Sequence, residues 1–293
     1  MKKESYTVHE HIVPVCYLKF FANPENDKVH RYDKQHHDIK YKSPKTIGYE
    51  DDFYEIYKDS KGKREYCSRN TIEDVLGKIE HKFRETFYDI VKAEDISNMQ
   101  EEEKEILSDY ISVQFARTKK QHLIMSDLLE FFMEDINKLS EHGKKLILQN
   151  ALFAGKSDTD VENYASLRDL IYNWLTNNSK FIFIQNSTNI LFYTCDNPVL
   201  IFDESDNLSI DALYIPLSPT FALWVMDKEI STQYKDVDIQ HIEKDGVLFF
   251  NELICNNADR YIISRKFTDA DKNFLKQCGY ELKKIGKDDE KHN

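Results

Sequence analysis

The spacing of apolar residues divides this chain into a helix-forming part and a strand-forming part. Between residues 61 and 179, apolar positions recur every three or four residues, which is the period of an amphipathic helix. This pattern predicts helices at residues 71–90, 97–117, 123–142 and 158–177. Beyond residue 180, short apolar runs alternate with polar turns and predict a sheet. Its strands are expected at 181–184, 190–194, 199–202, 213–215, 221–226 and 260–264, with the first two joined as a hairpin and a helix at 246–255 before the last.

The first 60 residues mix short strands and turns. Pro14 is placed like the first residue of a short helix over residues 15–21, and strands at 29–32 and 53–58 follow. We therefore predict a single α+β domain spanning residues 1–293, in which a helical N-terminal half packs on a mostly antiparallel C-terminal sheet. Its sub-regions are short strands and turns at 1–60, helices at 61–179, sheet at 180–282 and a frayed tail at 283–293.

The composition limits the classes of partner. Lysine and arginine number 40 and aspartate and glutamate 52, so the formal net charge is −12. Binding to extended duplex DNA requires a basic surface, so we expect none, whereas a nucleotide or an accessible RNA is compatible with this charge. The five cysteines form no Cys-x-x-Cys pair, and neither a signal peptide nor a membrane-length apolar run is evident. We expect a cytoplasmic protein that does not engage membranes, with an undetermined oligomeric state.

Two polar residues interrupt the apolar stripe of the second predicted helix. With Ile106 set at 0° on a helical wheel, Gln114 falls at about 80° and Arg117 at about 20°. An arginine in that position stays charged and needs a carboxylate, carbonyl groups or an anionic ligand. Glu80 of the first predicted helix is a suitable partner for Arg117 or a metal-facing carboxylate. The alternatives are a structural arginine that bridges two elements and an ordinary ion pair at the edge of the core.

Two further positions place polar groups beside apolar runs. Asp196-Asn197-Pro198 separates two strongly apolar strands, and proline makes that junction rigid enough to present a carboxylate. The alternative is an Asx-turn, in which the aspartate accepts backbone N–H groups. His11 is the first residue of an apolar run near the start of the chain. In a β-strand, the side chains of His9 and His11 would point to the same face. Such a histidine acts as an acid, a base or a metal ligand, or it is a hydrogen-bonded part of the structure.

Arg117 and His122 also match the Arg-x4-His spacing of HEPN-type ribonucleases, which act without a metal. An unbroken helix would place these two side chains about 140° apart, which is too far for them to converge. We therefore rank this ribonuclease hypothesis below a composite site. The chain contains no Walker loop, no Gly-x-Gly-x-x-Gly sequence and no His-Glu-x-x-His sequence.

The polar landmarks occur in an order that resembles the bacterial family called domain of unknown function 4238. The opening His-x-Val-Pro-x-x-Tyr-Leu-x-x-Phe-Ala matches residues 11–22, and Gln-x-x-Arg-Thr matches 114–118. The other matching features are Phe53-Tyr54, Glu80, Thr194-x-Asp-Asn-Pro-Val199, Pro216-Leu-Ser218, Asn257 and Ala258-x-Arg260. One departure is Lys119, where the family has proline after Arg-Thr, and this leaves the end of the second helix open. The resemblance implies no established activity, and the scattered bacterial distribution of the family is compatible with a phage-defence or toxin-like role.

These observations support two hypotheses of different classes. In the first, the protein is a hydrolase of phosphodiester or nucleotide substrates with a composite site. His11, Arg117 and Asp196 would be catalytic, and Glu80 and Asp196 would bind a divalent cation, Mg²⁺ or Mn²⁺. The substrate would be positioned by Gln114, Asn197, Asn257 and Arg260. In the second, the protein is a non-catalytic sensor or interaction module, and the same polar residues form a structural network or bind an anionic ligand.

Overall fold

The computed structural model describes residues 7–60, 63–68, 70–93, 99–133, 135–153, 166–203, 210–234 and 236–282. The helices in this part of the chain are α1 (Val15–Leu18), α2 (Thr71–Ala93), α3 (Glu101–Ala116), α4 (Lys119–Phe132), α5 (Glu141–Phe153), α6 (Leu167–Asn173), α7 (Lys244–Asn257) and α8 (Asp269–Gln277). Short 3₁₀ turns lie at Lys19–Phe21, Pro44–Thr46, Ile136–Lys138 and Ile230–Tyr234, and a π turn at Trp174–Asn178 follows α6. No described helix has the length and apolar character needed to cross a membrane.

The strands complete an α+β fold, as predicted. They are β1 (His9–His11), β2 (Val29–Asp33), β3 (Asp38–Lys42), β4 (Tyr49–Asp51), β5 (Ile56–Ser60), β6 (Lys63–Ser68), β7 (Ser179–Asn186), β8 (Thr194–Cys195), β9 (Leu200–Phe202), β10 (Ala212–Pro216), β11 (Phe221–Asp227), β12 (Ile239–Ile242) and β13 (Tyr261–Ser264). All strand pairs are antiparallel except that of β12 with β7, so the sheets are mostly antiparallel.

The chain divides into two compact units, and each is built from separate segments of sequence. Unit 1 consists of residues 1–12, 49–87 and 100–177. In it, β1 pairs with β4, β5 pairs with β6, and α3 to α6 accompany most of α2. Its core includes a stack of Phe83, Phe87 and Tyr110, in which the Phe83 and Tyr110 ring centroids lie 3.6 Å apart. Aromatic burial on this scale stabilises a helical core.

Unit 2 consists of residues 13–48, 88–99 and 178–293. It contains a five-stranded sheet in the order β12-β7-β11-β10-β9 and a four-stranded sheet in the order β3-β2-β13-β8. A continuous apolar core includes Tyr32, Tyr193, Cys195, Ile254 and Ile262, all of them fully buried. The prediction that residues 1–293 fold as one domain stays a prediction.

The predicted hairpin of residues 181–184 and 190–194 is wrong. β7 pairs with β11 and β12, whereas β8 pairs with β13 in the other sheet. The reason lies in the connecting loop, where the Asn186 side-chain amide donates to the Ile190 carbonyl at 2.6 Å and its oxygen accepts from Thr188. Side-chain bonds of this kind stabilise a local turn in place of continued strand pairing.

The third predicted helix, at 123–142, is in fact split, with α4 and α5 on either side of a 3₁₀ turn. Gly143, which directly follows the predicted end of that helix, lies in the first turn of α5. The Ser140 hydroxyl accepts from the Gly143 N–H at 3.3 Å, so a capping serine begins a new helix at this point. Residues 97 and 98, where the second helix was predicted to begin, lie outside the described residues. α3 begins with a capping box formed by Gln100 and Glu103.

Candidate functional site

Arg117 forms the centre of a polar cluster within unit 1. It follows the last residue of α3, and its side chain is only 1% exposed. The guanidinium donates from one terminal nitrogen to Glu80 Oε1 at 2.7 Å, from the other to the His11 carbonyl, and from Nε to the Tyr54 hydroxyl at 3.2 Å. A buried arginine with all three nitrogens engaged stays charged and holds its partners in place. Each nitrogen of the Arg117 guanidinium thus has a protein partner.

The other sequence-predicted residues of unit 1 surround this arginine. Glu80 is half-buried and supplies the carboxylate, as the sequence predicted. His11 offers its backbone carbonyl to Arg117, while its imidazole packs edge-on against the Tyr49 ring, with centroids 5.7 Å apart. Gln114 is fully buried and donates to the Ile12 carbonyl at 3.3 Å. His11, Glu80, Gln114 and Arg117 therefore lie in one network.

A pair of buried glutamates extends the cluster. Glu10 and Glu55 are 0% and 3% exposed, and the carboxyl group of Glu55 is near enough to Glu10 to raise its pKa. Their other contacts are backbone amides, since Glu10 Oε2 accepts from the Tyr54 N–H and Glu55 Oε1 from the Asn70 N–H, both at 2.6 Å. A neighbouring carboxyl group favours the protonated form of Glu10, whose O–H group can then donate to Glu55. Glu10 is therefore the member of the pair that carries a proton.

The electrostatics of the cluster favour retention of that proton at neutral pH. Burial raises the pKa of Glu10 to about 8, and the charges of Glu55 and Glu73 add to the effect. Glu73, in the first turn of α2, has a pKa raised to about 7 by burial, although Arg117 opposes the rise. Arg117 bonds Glu80 and lowers the pKa of Glu73, so one arginine accompanies the four carboxyl groups of Glu10, Glu55, Glu73 and Glu80. The cluster is rich in acid and poor in neutralising charge.

A pocket of about 220 Å³ opens beside the glutamate pair, and Glu55 forms part of its wall. The remaining lining residues are Tyr54, Ile56, Thr71, Ile72, Leu146, Gln149, Asn150 and Phe153. Five of these nine side chains are apolar or aromatic, and the described lining contains no cation. Gln149 is fixed by a hydrogen bond from its side-chain amide to the Tyr54 carbonyl. The pocket therefore combines an apolar wall, amide groups and one carboxyl group, as small-molecule sites do.

His122 lies close to this pocket. Its ring centroid is 6.1 Å from Tyr54 and 6.0 Å from Phe153, and its Nδ1–H donates to the Thr118 carbonyl at 3.0 Å. Burial lowers its pKa to about 4, so the imidazole is neutral near pH 7. α3 and α4 are separate helices, capped between them by Thr118, and Lys119 occupies the first helical position. Proline is well tolerated at that position, so the departure from the family pattern leaves the helix boundary in place.

The second cluster of predicted residues lies within unit 2, where strand register brings it together. β13 pairs with β2 and β8, so Tyr261 lies opposite Asp33 and Ile262 opposite Cys195. This register places Asp196 beside the start of β13. Its carboxylate accepts from the backbone N–H groups of Asp259, Arg260 and Tyr261 at 2.9, 2.7 and 2.9 Å. Burial raises the pKa of Asp196 to about 6, although these three bonds oppose the rise.

Asn197 and Asn257 bond to each other's backbone. The Asn257 amide donates to the carbonyls of Asn197 and Val199 at 2.6 and 3.3 Å, and the Asn197 amide donates to the Asn257 carbonyl at 3.4 Å. Asn197 is 2% exposed. The two asparagines therefore join the loop after β8 to the end of α7, and their amide donors are directed at the backbone.

Arg260 forms an ion pair with Asp33. Its Nε and a terminal nitrogen donate to the two oxygens of Asp33 at 3.3 and 3.0 Å. Asp33 is 1% exposed and also accepts from the His36 side chain at 3.0 Å. Burial would raise the pKa of Asp33, but the bonds from Arg260 and His36 outweigh it and hold that pKa far below its usual range. In this cluster the charges are matched.

The structure thus places the predicted residues in two clusters, each within one unit. The first contains His11, Glu80, Gln114 and Arg117, and the second contains Asp196, Asn197, Asn257 and Arg260. A single composite site stays a prediction, and so does a divalent cation at Glu80 and Asp196. Within the described part of the chain, no group of three or more histidine, cysteine, aspartate or glutamate side chains is arranged to hold a metal ion.

Sequence reasoning missed Glu10, Glu55 and Glu73. A signal for Glu10 existed, because strand alternation sends residue 10 to the face opposite His9 and His11. β1 follows that alternation, with Glu10 buried and His9 exposed. Glu55 and Glu73 gave no comparable signal, since both occur among exposed acidic residues in the sequence. Their burial results from tertiary packing.

The fold and this geometry define an α+β protein with an acid-rich buried cluster beside a small pocket. The model of the family described as protein of unknown function DUF4238 matches residues 9–268. The chain belongs to that family, as the motifs indicated. No curated protein and no solved structure matches the chain.

Proposed function

We propose that this protein is a hydrolase of nucleotide or phosphodiester substrates, and that the Glu10–Glu55 pair is its acid–base group. The observation that carries this proposal is a pair of adjacent buried carboxyl groups, one of which lines a pocket. Two carboxyl groups with one proton offer an acid and a base at the same pH. The arrangement is unfavourable for stability, because burial disfavours the ionised member of the pair. Strongly perturbed groups beside a pocket are typical of active sites.

The pair supports a balanced hydrolytic step. Glu55 takes a proton from water as the water oxygen attacks the scissile bond, and Glu55 then gives a proton to the leaving group. One water is consumed, one bond is broken, and the pair ends with the single proton with which it began. Glu55 is the member that faces the pocket. Glu10 acts through Glu55 by holding or accepting the shared proton.

The pocket indicates which part of a nucleotide would enter it. Glu55 contributes negative charge and the described lining contributes no cation, so a phosphate group is disfavoured inside the pocket. An apolar wall with two amide side chains suits an uncharged ring, such as a base or a sugar. The phosphate of the substrate would lie outside it. A divalent cation, if one participates, would serve that outer phosphate.

A second candidate function rests on a different observation. Arg117, Asp196 and Arg260 are each engaged by several protein groups, which favours a structural network. On this view the protein is a non-catalytic module, and its pocket binds a ligand without transforming it. For the second cluster, we propose that Asp196, Asn197, Asn257 and Arg260 hold the fold of unit 2. The ribonuclease hypothesis based on Arg117 and His122 is weaker, because the described bonds occupy all three nitrogens of the arginine.

The test is a cleavage panel with matched variants. Wild type, Glu55→Gln and the control Glu102→Gln are incubated with RNA, single- and double-stranded DNA and common nucleotides, in Mg²⁺, Mn²⁺ or EDTA. Glu102 is an exposed acid in the first turn of α3, so its substitution changes the charge of unit 1 away from the pair. We expect Glu55→Gln to abolish turnover while its melting temperature is maintained. Full turnover in Glu55→Gln would exclude the pair, and no turnover with any substrate would favour the non-catalytic module.

A further inference from the structure

Lysine and arginine residues gather at one end of the four-stranded sheet of unit 2. Strand register pairs Lys42, the last residue of β3, with Val29 of β2, and Ser264, the last residue of β13, with His30. Arg265 directly follows Ser264, so Lys42 and Arg265 lie on either side of the start of β2. Because neighbouring strands are about 4.8 Å apart, these two backbones are separated by about 10 Å.

Arg265 is a half-buried arginine without a carboxylate partner among the described residues. One terminal nitrogen donates to the Phe20 carbonyl at 3.2 Å, which brings the turn at Lys19–Phe21 beside Arg265, and the buried Nε has no hydrogen-bond partner in the described part of the chain. Burial lowers the pKa of Arg265, whereas the bond to Asp33 raises the pKa of Arg260. An arginine stays charged in a protein, so a buried one is stabilised by an anion.

The two ends of this sheet differ in how their charges are paired. Towards the turn that joins β2 to β3, Arg31 and Arg260 lie 3.6 and 3.0 Å from Asp33. Lys40 lies 2.8 Å from Asp38. At the other end, five cations have no ion pair with any described residue, and together they form what we call the basic end: Lys19, Lys28, Lys42, Arg265 and Lys266.

We propose that the basic end binds the phosphate backbone of a single-stranded nucleic acid. Residues 13–48 and 260–266, which contain all five cations, hold ten lysine or arginine residues and four aspartate or glutamate residues, although the whole chain carries a formal charge of −12. Charges farther apart than about 10 Å are largely screened at about 0.1 M salt, so the local excess of cations decides the attraction. The proposal uses no residue of unit 1, so it does not rest on the proposed hydrolase.

The surroundings of the basic end favour a flexible strand over a duplex or a membrane. A duplex is stiff and would extend beyond a patch about 10 Å wide, and the acid-rich remainder of the chain disfavours such a long contact. A lipid surface is bound through exposed apolar side chains as well as cations. No large apolar side chain among the described residues of 13–48 and 260–266 is exposed. A single strand can bend to follow a small area of positive charge.

The first experiment measures binding of the full chain to a fluorescent single-stranded RNA by anisotropy over a range of salt concentrations. EDTA is present, and a gel confirms that the RNA stays intact. With five phosphate contacts, the logarithm of the association constant should fall with the logarithm of the salt concentration at a slope of about −3.5. A peptide nucleic acid of the same sequence carries bases without phosphates and should not bind. Failure to bind RNA at the lowest salt, or equal binding of the uncharged strand, would overturn the proposal.

The second experiment compares charge-matched variants. Lys42→Gln with Arg265→Gln removes two cations from the basic end, and the control Lys78→Gln with Lys82→Gln removes two exposed cations from α2. We expect the first pair to weaken RNA binding about 25-fold at about 0.1 M salt and to make the salt slope shallower by about 1.4. The control pair should bind RNA as wild type does. An equal loss in both pairs would overturn the proposal, because net charge alone would then explain the binding.

A third pair of substitutions covers the case in which loss of the half-buried Arg265 disturbs the fold. Lys19 and Lys28 are exposed, so Lys19→Gln with Lys28→Gln should leave the melting temperature unchanged and weaken RNA binding to a similar extent. Unchanged binding in this variant would overturn the proposal. Vesicles that contain phosphatidylserine replace the RNA in a parallel co-sedimentation assay. Binding to these vesicles without binding to RNA would assign the basic end to a lipid surface instead.

Discussion

The two polar clusters contain similar kinds of charged side chain but balance them differently. In unit 1, one arginine serves four carboxyl groups, and two of these have pKa values of about 8 and 7. In unit 2, Asp33 meets Arg260, and Asp196 accepts three backbone N–H groups. In the second cluster each carboxylate has an arginine or backbone N–H donors as partners. In the first cluster the carboxyl groups outnumber the cation.

This difference separates groups that maintain the fold from groups that are available for chemistry. A buried carboxylate with a full set of donors has no capacity left for a substrate. A carboxyl group that shares a proton with another can release or accept that proton during a reaction. The acid excess of unit 1 lowers stability, which is the usual consequence of a functional site. The comparison can be tested by substitutions that affect one cluster and leave the other unchanged.

The largest loss of stability is expected from a substitution at Arg117. Arg117→Met removes the one cation that the described residues contribute to the first cluster, and so deprives Glu80 and Glu73 of its charge. Loss of one partner of a buried ion pair typically costs about 3–5 kcal/mol of stability. The free energy of unfolding is measured by urea denaturation, with Arg117→Lys as the variant that retains the charge. A loss below about 1 kcal/mol would show that the guanidinium does not hold the cluster together.

A slightly smaller loss is expected at Asp196. Asp196→Ala leaves the N–H groups of Asp259, Arg260 and Tyr261 without their acceptor. An unsatisfied buried polar group costs about 1–3 kcal/mol of stability. We expect a total loss of about 2–4 kcal/mol in urea denaturation, partly restored by Asp196→Asn. Turnover in the surviving folded fraction should be unchanged. A folded Asp196→Ala protein of normal stability without activity would instead make Asp196 catalytic.

Glu10 is expected to make the stability of the wild-type protein fall as the pH rises. The pKa of Glu10 is raised from 4.5 to about 8, so the folded chain keeps a proton that the unfolded chain has lost. The resulting stability is fully present below pH 4.5 and is lost as the pH rises towards 8. Between pH 6.5 and 8 this loss amounts to about 1–2 kcal/mol, and the last part of the titration of His30 and His122 in the unfolded chain offsets some of it.

Glu10→Gln should remove that dependence. The amide can still accept from the Tyr54 N–H and donate to Glu55, so the variant should unfold with the same free energy at pH 6.5 and 8 after other groups are subtracted. Urea denaturation at several pH values gives the difference between wild type and variant. A constant difference across this range would mean that Glu10 is ionised in the folded protein.

Sequence patterns predicted the elements well where local chemistry decides them. The helix at 246–255 and the strands at 199–202, 213–215 and 221–226 are confirmed as α7, β9, β10 and β11. Gln114, Arg117 and Glu80 were predicted to share a network because polar groups inside an apolar stripe need partners. The Arg117–Glu80 ion pair is present at 2.7 Å.

The remaining features depend on contacts that local patterns do not encode. β8 belongs to a different sheet from β7, because pairing with β13 is decided by residues some 70 positions apart. Glu55 and Glu73 resemble exposed acids in the sequence, and the packing of β1 and α2 around them decides their burial. Strand alternation would have identified Glu10, had His9 been taken as the outward residue.

The smallest loss of stability is expected at Arg260. It tests the contrast between the two clusters at acidic pH. Arg260→Lys keeps the charge but loses the two-point bond to Asp33, and Arg260 is one-third exposed, so we expect a loss below about 1 kcal/mol at pH 7. The lowered pKa of Asp33 gives stability that is present above about pH 4 and is lost as the pH falls further. The variant should therefore lose less stability than wild type on acidification, whereas Glu10→Gln alters the neutral to alkaline range. If both substitutions changed the same pH range, the contrast between a charge-matched and an acid-rich cluster would fail.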